Sequence, residues 1–206
     1  MRCLLCDKEI GSDDLYDLLW SEDVLCRACR KQWQRMPHGF RFKKMQVEAL
    51  WVYNDAFSRA LLQYKECNDE ALEDVFLIKD RRRLHWKYRG WTVALMPSSP
   101  EKYAKRGFSH LEGMFAGLGL PMIEPFMQIT SMDQKQKDRR SRQLMANNIR
   151  WKEGCPVPQK ILLCDDTITT GATLVGAARA IPQKCRIKIL CASANEAWIH
   201  KKTRIG

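Results

Sequence analysis

The stretch Ile161-Leu162-Leu163-Cys164-Asp165-Asp166-Thr167-Ile168-Thr169-Thr170-Gly171-Ala172-Thr173-Leu174 limits the possible folds more than any other part of the chain. Four apolar residues bounded by polar ones read as a buried strand, too short for a helix. Two carboxylates follow, then a Thr/Gly-rich turn, then a helix-like run over 171–181. Further apolar runs lie at Val93-Ala94-Leu95-Met96, at Met122-Ile123 and from Ile187 to Ala192, with another helix-like stretch near 109–118. Short strands alternating with helices predict an α/β domain with a mostly parallel sheet. Upstream, Val47 to Tyr53 reads as extended. Two helical stretches follow, one carrying Leu61, Leu62, Tyr64 and Lys65, the other at about Glu70 to Ile78.

The turn after the acids has the chemistry of an anion site. Ligands of open α/β sheets sit beyond the carboxyl ends of strands. A turn opening a helix presents free backbone N–H groups, and the helix dipole favours negative charge there. Thr169, Thr170 and Thr173 add hydroxyl donors, and Gly171 allows close backbone approach. No Gly-Lys-Ser/Thr follows, so this is not the P-loop of nucleotide hydrolases. Asp165 and Asp166 would repel a bare phosphate. They make sense facing sugar hydroxyls or a bound Mg²⁺, which describes a ribose-5-phosphate. The alternative is a capped strand–helix junction with incidental acids.

A second signal stands at the other end of the chain. Cys3-x2-Cys6 and Cys26-x2-Cys29 are 19 residues apart, within the spacing of a four-cysteine zinc site. Each CxxC turn sets two thiolates on one side, and two such turns make a closed tetrahedral cage for structural Zn²⁺. A segment of this size buries too little apolar surface to fold alone, so metal would supply much of its stability. The alternatives are unrelated pairs or redox dithiols. In a reducing compartment the paired spacing favours zinc. Leu15, Leu18, Leu19 and Trp20 are expected to pack around the turns or onto the main domain. Cys164 and Cys191, in apolar runs, are expected to be small core residues. The domain division expected is 1–45, a zinc-binding segment, and 46–206, the α/β domain.

Thirty-five Lys and Arg against 24 Asp and Glu give a net charge of +11, which favours an anionic partner. Three basic groupings interleave with rings. One is 79–89, with Arg81, Arg82, Arg83, Trp86 and Tyr88. Another is 102–106, ending in Arg106. The last lies within the long polar stretch 127–153 and holds Lys135, Lys137, Arg139, Arg140 and Arg142. Cations with stacking rings suit single-stranded nucleic acid. Any one grouping alone reads more readily as a solvated helix face; the three together with the net charge of +11 favour binding. Apolar runs are too short to span a bilayer. Asp7 and Lys8 interrupt any signal peptide at once, so the expected location is the cytoplasm.

Taken together these features carry a resemblance. The Ile161–Thr173 stretch looks like the phosphoribosyl-pyrophosphate (PRPP) motif of type I phosphoribosyltransferases. Joined to a four-cysteine segment it is similar to the ComF family of competence proteins. Tyr53 with Leu61-Leu62-Gln63-Tyr64-Lys65, and Arg106-Gly107-Phe108-Ser109-His110, resemble further family segments, with Ser109-His110 standing where the family has Asn-Gln. The resemblance implies an α/β domain of phosphoribosyltransferase type behind a small zinc finger. Asp165 and Asp166 would contact the ribose as the catalytic pair. Thr167, Ile168, Thr169, Thr170, Gly171, Ala172 and Thr173 would hold the 5-phosphate, with Mg²⁺ accompanying PRPP. It also implies handling of single-stranded DNA in natural transformation, at the inner face of the membrane through partners such as a ComFA-like helicase-type ATPase. An active phosphoribosyltransferase with an unknown acceptor, and an adaptor with a vestigial site, remain open alternatives.

Overall fold

The computed structural model describes residues 1–10, 23–98, 103–104, 107–128 and 149–199. After the first cysteine turn come α1 (Arg27–Lys31), β1 (Phe40–Phe42), β2 (Met45–Val52) and α2 (Asp55–Glu66). A 3₁₀ helix (Glu70–Phe76), α3 (Arg81–Lys87), β3 (Thr92–Leu95), α4 (His110–Ala116), β4 (Met122–Ile123), β5 (Phe126–Gln128) and β6 (Ile149–Trp151) follow. The last described elements are β7 (Lys160–Ile168), α5 (Ala172–Ala180), β8 (Arg186–Ala194) and a 3₁₀ turn (Glu196–Trp198). The expected α/β alternation is present. The second upstream stretch forms a 3₁₀ helix rather than an α-helix, entered from Asn68 with φ at +56°.

Six strands form one sheet in the order β1-β2-β8-β7-β3-β4, and β5 pairs with β6 in a separate hairpin. Among the described residues, only the β1–β2 pair of the large sheet is antiparallel. β7 and β8 are central, and Ile161, Leu162, Leu163, Cys164, Ile189, Leu190, Cys191 and Ala192 are fully buried. A strand covered on both faces must be apolar throughout rather than alternating, which is what those runs supply. Cys164 and Cys191 are core residues as expected, and burial pushes both thiols up.

The order of strands fixes where a ligand can sit. Crossovers between parallel strands are right-handed. β7→α5→β8 moves one way across the sheet, while β2→α2→β3 and β3→α4→β4 move the other way. α5 therefore covers one face, and α2 and α4 the opposite one. The direction reverses between neighbours β7 and β3, so a crevice opens at their carboxyl ends.

The cysteine segment shares the core of the sheet. Trp33 lies against Phe57, Trp51 and Phe76, with ring centroids 4.8, 5.3 and 5.7 Å away. Arg30, one turn past Cys26, is buried. It grips Asp23 through Nε (2.9 Å) and Nη2 (2.5 Å), donates to the Val75 carbonyl (3.0 Å) and lies over Trp33. Lys79 adds a second cation to Asp23 at 3.0 Å. Asn54 accepts from Phe57 N–H as the cap of α2 and donates to the Gln32 carbonyl.

Asp23 is mostly buried. Burial alone would raise its pKa, but Arg30 and Lys79 outweigh this and hold the carboxyl below the usual range. A depressed carboxyl contributes stability above its unfolded pKa, and that contribution fades as pH falls through the folded value. Asp23→Asn should cost about 3 kcal/mol at neutral pH, since it leaves a buried cation without its charge partner. Urea unfolding at a series of pH values checks this: the gap from the parent protein should narrow below about pH 4.

Candidate functional site

Among the described residues one group has metal-ligand chemistry, Cys3, Cys6, Cys26 and Cys29, with all four Sγ atoms within 4.8 Å of one another. Tetrahedral Zn²⁺ with bonds of about 2.3 Å sets its sulfurs roughly 3.8 Å apart, and Cys6 and Cys26 Sγ are 3.7 Å apart. The turns are built to converge. Asp7, at φ +57°, closes the first, where Asp7 N–H donates to the Cys3 carbonyl and Cys3 N–H to the Lys8 carbonyl. Leu4 N–H donates to the Val24 carbonyl, which joins the turns directly. Burial raises the Cys3 thiol, but backbone N–H groups of Cys26, Leu5 and Cys6 overcome this and bring it to about 7. Burial and the three neighbouring thiols drive Cys29 far above the thiol range. Four thiolates crowded this closely repel one another, and a divalent cation is what lets all four ionise. The donor set fits structural zinc. Leu15, Leu18, Leu19 and Trp20 lie outside the described residues.

The second site is the end of β7. The strand runs on through both acids to Ile168, with Asp165 opposite Cys191 and Thr167 opposite Ser193 of β8. Successive strand residues point to opposite faces, so Asp165 and Asp166 have different surroundings. Asp166 meets the face that carries α2 and α4. Lys65 Nζ, in the last turn of α2, lies 2.5 Å from its Oδ2, and His110 Nε2, at the start of α4, lies 2.9 Å from the same atom. The Tyr64 hydroxyl donates to the His110 carbonyl at 2.8 Å. Gly113 lets α4 come this close, since a Cβ there would stand 2.7 Å from that hydroxyl. Burial opposes ionisation of Asp166, yet Lys65 and His110 outweigh it and hold the carboxyl well below the usual range. Asp165 accepts from Asp166 N–H at 2.9 Å. Burial, then the adjacent charge of Asp166, pushes Asp165 up to about 8. At neutral pH the pair thus carries about one negative charge, facing one lysine.

The turn beyond is pinned from behind. Trp198 Nε1 donates to the Thr169 carbonyl (2.8 Å), Asn195 N–H to the Ile168 carbonyl (3.1 Å), and Thr167 Oγ1 meets Ser193 Oγ at 2.8 Å. Ile168 is buried, while Thr169, Thr170 and Thr173 are exposed. Gly171 is left-handed (φ +73°), and a Cβ there would stand 2.5 Å from the Phe42 ring. Phe42 in turn packs edge-on against Trp198. Both the dihedral and the contact demand glycine. Ala172 N–H bonds Thr170 Oγ1 at 3.4 Å, at the start of α5.

The basic groupings fare differently. On α3, Arg81 pairs with Asp74, Arg83 with Glu48 and Asp80, and Lys87 with Glu48. Arg82 lies on the same helix. Glu48 also accepts from the Tyr88 hydroxyl. Trp86 is 68% exposed, with the Arg89 guanidinium 5.4 Å from its ring centre. α3 precedes the start of β3, so this patch lies at the end of the sheet away from Asp166. Arg106, Lys135, Lys137, Arg139, Arg140 and Arg142 lie outside the described residues. Among the described residues, no helix is long and apolar enough to cross a membrane.

The pairing of Lys65 and His110 with Asp166 is absent from the site predicted by sequence. Both residues occur in segments that carry the family resemblance, and that was the available signal. Separations of 101 and 56 residues hide the contacts themselves.

No protein-family model matches the chain. It is 27% identical to the competence protein ComFC of Streptococcus pneumoniae over 199 residues, covering 84% of this chain and 90% of the relative. It is 24% identical to the competence protein ComFC of Bacillus subtilis over 213 residues, covering 88% and 89%.

Cys29→Ser should purify with little zinc, and its Cys3–Cys29 segment should unfold, as followed by metal analysis and amide exchange; full zinc content would contradict the cage. A carboxyl raised in the folded state costs stability as pH rises through the span between its unfolded and folded values. Asp165→Asn should therefore gain on the parent protein in thermal melts between about pH 4 and about pH 8, the value Asp165 reaches.

Proposed function

We propose that the chain is a ComF-family competence protein that handles incoming single-stranded DNA and carries a ribose-5-phosphate site of PRPP type at the end of β7. The observation that carries this is the likeness to two ComFC proteins along about nine-tenths of their own length. A short motif shared by chance would not extend so far. The site supports it independently. The exposed Thr169, Thr170 and Thr173 and the helix opening suit a phosphate. The strand-end acids beside them suit sugar hydroxyls, and the crevice lies at the switch point of the sheet.

In this reading residues 1–45 form the zinc-bearing segment and 46–206 a phosphoribosyltransferase-like domain. Zinc is structural, and Mg²⁺ arrives with PRPP rather than residing in the protein. The DNA surface draws on the net charge of +11 and on Trp86 backed by Arg89. Phosphate contacts there give sequence-independent affinity, and an exposed indole stacks on any base. A ComFA-like ATPase is the partner, and the protein acts in the cytoplasm.

Fluorescence anisotropy of a labelled single-stranded oligonucleotide, at two salt concentrations and with or without PRPP and Mg²⁺, tests this. Binding should weaken steeply with salt. Trp86→Ala should lose about 1–3 kcal/mol, the stacking contribution of one base. Displacement by PRPP would put the strand end at the β7 loop; unchanged binding would keep the two sites separate. No binding at low salt would sink the DNA-handling function.

A further inference from the structure

Lys65 and His110 reach Asp166 from two different helices, α2 and α4. They and Asp166 are well shielded: side-chain exposure is 23% for Lys65, 6% for His110 and 13% for Asp166. A lysine at this depth is costly unless its charge is matched. Both contacts fall on Oδ2, so Oδ1 of Asp166 receives neither. With Asp166 ionised, His110 Nε2 carries the proton and donates, as Lys65 Nζ does. Two donors from two different helices fix the rotation of a carboxylate that one donor would leave free to swing.

The elements that bring them are rigid at this point. Lys65 directly follows Tyr64, whose hydroxyl holds the His110 carbonyl. α2, α4 and the end of β7 therefore meet in one cross-linked corner. The Thr167–Thr173 loop begins at the next residue after Asp166.

We infer that Lys65 and His110 are positioning residues that hold Asp166 by Oδ2, leaving Oδ1 to accept from a ribose hydroxyl, and so let the site choose a sugar phosphate over a bare phosphate. The inference rests on the sugar-phosphate reading of the β7 loop. The arrangement separates two tasks. The loop binds phosphate through backbone and threonine groups. The clamped carboxylate recognises the sugar and, already neutralised by Lys65, does not repel the phosphate beside it. Neither Lys65 nor His110 needs to touch the ligand.

Calorimetric titration of the zinc-loaded full chain with ribose-5-phosphate and, separately, with inorganic phosphate tests it. The parent protein should prefer ribose-5-phosphate. Lys65→Met, His110→Gln and Asp166→Asn should each weaken ribose-5-phosphate by about tenfold or more, the scale of a lost charge-assisted hydrogen bond. Inorganic phosphate should change less than about twofold by the same reasoning. Lys65→Arg, which keeps the charge, should retain most of the preference. Near-UV circular dichroism establishes that each variant is folded; if Lys65→Met is not, His110→Gln and Lys65→Arg decide. The inference is overturned if the folded variants keep the parent's preference, or if both ligands weaken in equal proportion, which would make Lys65 a phosphate contact. A parent that binds phosphate without preferring the sugar overturns the inference alone. A parent that binds neither ligand overturns the sugar-phosphate reading and this inference with it.

Discussion

A strand buried on both faces can show polar groups only at its ends, and much of this molecule follows from that limit on β7. Its first half is closed by β8 and β3 and contributes nothing but packing. Chemistry begins at Asp165, where the cover ends. Two adjacent carboxylates in that half-covered position cannot both be ionised cheaply. The fold settles the conflict asymmetrically: Asp166 receives a lysine from α2 and a histidine ring nitrogen from α4, and Asp165 is pushed towards its protonated form. The direction of chain crossing, the left-handed Gly171 and the Tyr64–His110 bond all serve to put loop, acids and cation at one corner.

The cysteine segment belongs to that corner too, though its own chemistry lies elsewhere. Its downstream residues reach the sheet along two routes. Arg30 and Trp33 enter the aromatic cluster under β2. Phe40 and Phe42, on the edge strand, pack against Trp198, the same indole that holds the Thr169 carbonyl. Phe42 also fills the space that glycine leaves at 171. The wall behind the Thr167–Thr173 loop is therefore supplied by chain leading out of the cysteine segment and by the 3₁₀ turn after β8.

What could be read from sequence divides along the range of the interaction. The cysteine pairs converge because a CxxC spacing is local chemistry, and the β7–α5 junction is legible because strand, acids, turn and helix are contiguous. The parallel sheet followed from alternation of element types, whereas the strand order, and hence the place where crossing direction reverses, rests on long-range pairing that no local pattern encodes. The clamp on Asp166 was not legible, since Lys65 looks like the polar end of an amphipathic helix and His110 like a helix start. The basic run 79–89 shows the converse failure. Counted along the chain it is a block of positive charge. In the fold, Arg81, Arg83 and Lys87 are answered by Asp74 and Asp80, close by in sequence, and by Glu48 of β2, 35 and 39 residues from Arg83 and Lys87.

The strand order also has a consequence for how the protein comes to exist. β2 is complete by residue 52, yet its parallel neighbour β8 is not synthesised until residues 186–194. β3 waits likewise for β7. On the ribosome the amino-terminal half can close its cysteine turns and its short β1–β2 hairpin, while its longest apolar strand stays open along one edge. Strand pairing of such long range makes folding slow and leaves unpaired edges exposed meanwhile. Among the described strands, the two at the centre of the sheet are made after the four that flank them, so a truncation that removes them takes away the middle of the sheet rather than its rim.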